Sequence, residues 1–138
     1  MHPIRIAVLG ALSIAAGLTG SLVLAGTVNL DLSDFNDDVM RGLDDTMKTL
    51  DSDIATRNVK SVAADTQSIR ESLSWAQDYF AKKGNLDDAV RWAKQGQDLA
   101  EAITKSTQES DFDTSLAKYD SLVKTCRACH DVYKPPDI

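Results

Sequence analysis

Near the C-terminus, five consecutive residues join the chain's two cysteines to a histidine: Cys126-Arg127-Ala128-Cys129-His130. On a helix, thiols three residues apart lie on neighbouring turns of one side. They can add to the two vinyl groups along one edge of a porphyrin, and the histidine that follows at once can give the iron an imidazole nitrogen. C-x-x-C-H is the attachment signature of a c-type haem. Other chemistries fit less well. A disulfide between positions three apart on a helix has poor geometry. A thioredoxin-like dithiol needs a strand before it and a βαβ context, which the sequence pattern lacks. A zinc site needs two further ligands, and the chain's other histidine, His2, lies in an apolar N-terminal segment. The expected cofactor is therefore one covalent haem c with its iron, anchored by thioethers at Cys126 and Cys129 and ligated by His130.

The opposite face of the iron has two soft candidates, Met40 and Met47. They are seven residues apart, so both point to the same side of a helix.

The rest of the chain reads as helix throughout. A first helix is expected from Asp31 or Ser33, with Met40, Leu43, Met47, Leu50 and Ile54 as a 3-4 seam. A second, from about Asn58 to Lys82, repeats the spacing through Val59, Val62, Thr66, Ile69, Leu73, Ala76 and Phe80, and Gly84 ends it. A third starts near Asn85 or Asp87 and carries Ala89, Trp92, Gly96, Leu99 and Ile103, with Ala93 and Ala100 beside them. Its small residues leave room for a close neighbour or for a flat ligand. A fourth runs from about Thr114 to Tyr133 with Leu116, Tyr119, Val123, Cys126, His130 and Tyr133 on its seam, and Pro135 and Pro136 stop it. Four such helices on short connections predict an all-α, antiparallel up-down-up-down bundle spanning residues 26–138. In that arrangement the end of the last helix lies beside the start of the first. Met40 is nearer that end than Met47 by about 10 Å of helix rise, which makes it the better axial candidate.

The formal net charge is −6, and the first 25 residues hold Arg5 and no acid, so the remainder is more negative still. That balance argues against nucleic acid as a partner and permits a basic protein. Residues 1–5 are short and basic, and Ile6 to Ala25 is uncharged throughout. Residues 1–25 read as a cleaved signal peptide or a membrane anchor, and either places the rest outside the cytoplasm. A periplasmic location, soluble or tethered to the inner membrane by residues 6–25, agrees with covalent haem attachment.

With these features in place, the chain resembles the class II cytochromes c, the cytochrome c′ family and its low-spin methionine-ligated relatives, over about residues 31 to 134. The strongest part is Thr125-Cys126-Arg127-Ala128-Cys129-His130-Asp131-Val132-Tyr133-Lys134. Met40, Leu43 and Met47 match the family's distal register on the first helix. The resemblance implies Met40 as distal ligand and Lys134 near the haem. It implies single-electron transfer between redox-partner proteins, and no enzymatic activity. A non-ligating Met40 would imply instead a five-coordinate protein binding nitric oxide or carbon monoxide. Family members often form homodimers through the first two helices, where Trp75 and Tyr79 could serve. Two positions depart from the pattern: Asn36 stands where an arginine is common, and only Gly84 and Asn85 join the second and third helices.

Overall fold

A computed structural model describes residues 31–134 and folds them into four helices: α1 (Asp37–Ala55), α2 (Val59–Lys83), α3 (Asp87–Gln108) and α4 (Phe112–Tyr133). There is no strand among the described residues, and no helix among them is long and apolar enough to cross a membrane. The expected export or anchor segment lies outside the described residues, as do Pro135 and Pro136.

Side chains start α1, α2 and α4, and left-handed residues follow α1, α2 and α3. Asn36 accepts the Asp38 N–H, Asn58 the Ser61 N–H and Asp111 the Thr114 N–H, each satisfying an orphan donor of a first turn. Asp37 and Asp38 add favourable charge at the start of α1. The three connections are each three residues long. Two are Schellman turns. Asn58 N–H reaches Asp53 O while Arg57 N–H reaches Ile54 O, and Asp111 N–H reaches Ser106 O while Ser110 N–H reaches Thr107 O. Arg57 and Ser110 take the left-handed position in them, at φ 58° and 64°. The α2–α3 connection uses Gly84 and Asn85 in succession at positive φ, a tight reversal that glycine makes inexpensive.

Each helix packs against its sequence neighbours, and α1 closes the ring against α4 along the least extensive of the four interfaces. Cross-helix hydrogen bonds set the directions. Thr66 pairs with Thr104 at 2.6 Å and Gln77 with Gln97 at 2.7 Å, so α2 and α3 are antiparallel. Ser115 meets Ser106 at one end of α3 and α4, and Tyr133 meets Asp88 at the other. The central core holds Leu50, Ile54, Val62, Ile69, Ile103 and Leu122, all essentially inaccessible to solvent.

Three local expectations are corrected. α1 begins at Asp37, not near Asp31 or Ser33. Residues 31–36 form a strap across the end of α2 instead. Phe35 sets its ring 5.0 Å from Trp75, 4.8 Å from Tyr79 and 5.8 Å from Phe80. Asp34 accepts from the Tyr79 hydroxyl and from Lys83 Nζ, each at 2.7 Å. Trp75 and Tyr79 are half-buried by this arrangement. On α3 the buried stripe is Ala89, Ala93, Gly96, Ala100 and Ile103, while Trp92 and Leu99 flank it. A Cβ on Gly96 would stand 2.6 Å from Leu73 Cδ1 and 3.4 Å from Leu122 Cδ1, so the room beside this glycine is filled by neighbouring helices. On α4 the deepest residues are Ser115, Leu122 and Thr125, and Leu116 is exposed. Ser115 can be buried because its hydroxyl meets Ser106 Oγ at 2.7 Å, Thr107 Oγ1 at 2.9 Å and the Asp111 carbonyl at 2.9 Å.

Candidate haem-attachment site

The last turns of α4 carry Cys126, Cys129 and His130 at the end of the bundle where α1 and α3 begin. Helical spacing puts the two sulfurs on the same side, one turn apart. Both cysteines are half-buried, and Cys126 packs against the central core beside Tyr119 and Val123. Burial raises both thiol pKa values. Cys129 is pushed up to about 11, mainly by burial, with Cys126 and Asp88 adding to it. These thiols are therefore protonated at neutral pH and lack the electropositive setting that makes a redox-active thiolate.

His130 stands at the rim of the α1–α4 seam and is exposed as a residue. Crowding by the protein still lowers its pKa, Lys134 lowers it further, and Asp44 and Asp131 oppose the shift. The neutral imidazole, the form that ligates a metal, is favoured. Lys134 caps α4, and its N–H donates to the His130 carbonyl at 3.0 Å. Asp44, one turn after Met40, feels the charges of both His130 and Lys134, so the start of α1 and the end of α4 flank the same end of the molecule.

The two methionines differ in setting. Met47 is buried in the central core, and its carbonyl accepts the Tyr119 hydroxyl at 3.2 Å. Met40 is half-buried and borders both the central core and a second apolar cluster. That second cluster, built on Ala76, Phe80, Leu86 and Ala89, also takes in Phe35 and Tyr133 and forms an apolar wall at the bundle end that carries the motif.

Two features of this end have no signature in the sequence. Tyr133 donates to Asp88 Oδ1 at 2.6 Å, joining residues 45 positions apart, and its ring lies 5.4 Å from Phe80 and 6.4 Å from Trp92. Burial, reinforced by that bond, pushes the Tyr133 pKa up to about 12. Phe35 reaches the wall only because the strap turns back, a tertiary event with no periodicity to announce it.

The donor set fits a covalently held haem: two protonated thiols, a neutral imidazole and a thioether at one end of the bundle, beside an apolar wall suited to a macrocycle. Among the described residues no group of three or more His, Cys, Asp or Glu gathers as a bare metal ion would need. No family model matches the chain, and no curated protein or solved structure is significantly similar to it.

Proposed function

We propose that the chain is an exported mono-haem c-type cytochrome of the class II kind, a four-helix bundle that carries single electrons between redox proteins in the periplasm. Cys126 and Cys129 would hold the haem by thioethers, and His130 and Met40 would be its iron ligands. The observation that carries the reading is the placement of the C-x-x-C-H residues on the last turns of α4, at the bundle end where α1 brings Met40.

Bound haem supplies a reversible one-electron iron couple. The chain's contribution is to hold and shield it. The wall of Phe80, Leu86, Ala89 and Tyr133 keeps water from one side of the site, and the depressed His130 pKa keeps the imidazole free of its proton for ligation. With the half-buried Met40 thioether as a ligand beside His130, the iron would be saturated and would rearrange little when an electron moves. That suits a carrier rather than an enzyme. The acidic surface suits a basic redox partner.

Absorption spectra of the oxidised and reduced protein test the ligand assignment. Low-spin spectra that turn high-spin in Met40→Ala are expected, with Met47→Ala remaining low-spin. A high-spin wild type contradicts the methionine ligand and favours the gas-binding alternative. Loss of the low-spin state in Met47→Ala alone would make Met47 the ligand and Met40 the packing residue.

A further inference from the structure

Asp88 is the acidic side chain bonded directly to the motif-bearing end of α4. It lies in the first turn of α3 and is half-buried. Its Oδ1 takes two hydrogen bonds, from the Ala89 N–H at 2.9 Å and from the Tyr133 hydroxyl at 2.6 Å. The first fixes the carboxylate to its own helix start. The second ties the last residue of α4, three positions after His130, to that helix start. The Tyr133 ring also packs beside those of Phe80 and Trp92. Tyr133 stands four positions after Cys129 on α4, so its hydrogen bond sets the Asp88 carboxylate about one helical turn from that cysteine.

We propose that Asp88 is a positioning residue with a second, electrostatic role: through Tyr133 it fixes the turn that presents His130, and its negative charge lowers the reduction potential of the haem held at Cys129. The inference rests on the proposed haem function. The physical reason is simple. Oxidised iron carries one more positive charge than reduced iron. A fixed carboxylate in a partly dehydrated setting stabilises the oxidised form more, and the electron becomes easier to lose. Arg127, Asp131 and Lys134 near the end of α4 and Asp44 on α1 are other charged groups at this end of the bundle, and the variants below leave them unchanged.

Three variants of the full haem-bearing chain separate the two roles. Asp88→Asn removes the charge and keeps an acceptor oxygen for Tyr133. Tyr133→Phe removes the hydrogen bond and keeps the charge. Asp88→Glu keeps the charge with an altered reach. Spectro-electrochemical titration is expected to show a more positive potential in Asp88→Asn and a near-wild-type potential in Asp88→Glu. Tyr133→Phe should lower the thermal midpoint while leaving the potential at or below that of wild type. An unchanged potential in haem-loaded Asp88→Asn overturns the inference and leaves the proposed function standing. A rise in Tyr133→Phe equal to that in Asp88→Asn also overturns it, since loosening of the turn would then explain both. A wild-type chain that carries no covalent haem overturns the underlying function as well.

Discussion

Asp65 shows how a single side chain can work against the fold. It projects from α2 towards α1, and its Oδ2 is buried without a hydrogen-bond partner. Burial raises its pKa above 3.8, the nearby Asp53 charge raises it further, and Thr49 only partly compensates. An acid whose folded-state pKa is raised favours the folded chain while protonated. That advantage is lost as pH rises from 3.8 through the folded-state value. Asp65→Asn is therefore expected to melt at a higher temperature than wild type at pH 7, with the difference shrinking as pH falls towards 3.8. Thermal denaturation across that range checks it, and a gain independent of pH would contradict it. At this scale the C-x-x-C-H residues were legible because the motif is local. Asp65 and Asp88 were not: their partners lie on other helices, and nothing in the spacing of acidic residues marks which will be half-buried.

The helices were legible in number and nearly in extent, since a 3-4 spacing of apolar residues leaves little choice of period. Their exact faces were less so. Ser115 on α4 and Thr66 on α2 read as polar, yet both are buried because hydroxyl pairs across the helices satisfy them. The α1 boundary lies later than expected because Asn36 caps the helix, while Phe35 before it packs on Trp75, Tyr79 and Phe80. Two glycines test how closely the helices pack. Gly42 sits inside α1 with nothing within 4 Å of where a Cβ would lie, whereas Gly96 faces Leu73 at 2.6 Å. Gly42→Ala should stabilise by about 1 kcal/mol, or roughly 4–8 °C in Tm, from helix propensity alone. Gly96→Ala gains the same propensity and loses about 1–3 kcal/mol to overpacking, so its Tm should not rise. Equal gains at the two sites would contradict the close α2–α3 approach.

Across the whole molecule the bundle has two unlike ends. At one, the α1–α2 and α3–α4 connections are closed by paired Schellman turns, with Ser106, Thr107 and Ser115 bonded beneath the second. At the other, the short α2–α3 reversal, the strap at residues 31–36, the start of α1 and the end of α4 converge on an apolar wall. The sulfurs, the imidazole and Met40 all belong to this second end. The ring topology was legible from three short connections. The wall was not, because half of it comes from a non-helical strap and from residues whose contacts cross the bundle. The covalent bonds proposed between haem and Cys126 and Cys129 are tested by the mass and visible absorption of the chain after export, purification and unfolding in acid. One haem per chain should stay bound through denaturation and be absent when Cys126 and Cys129 are both replaced by alanine. A wild-type chain that emerges colourless, at the mass of its polypeptide alone, would contradict it.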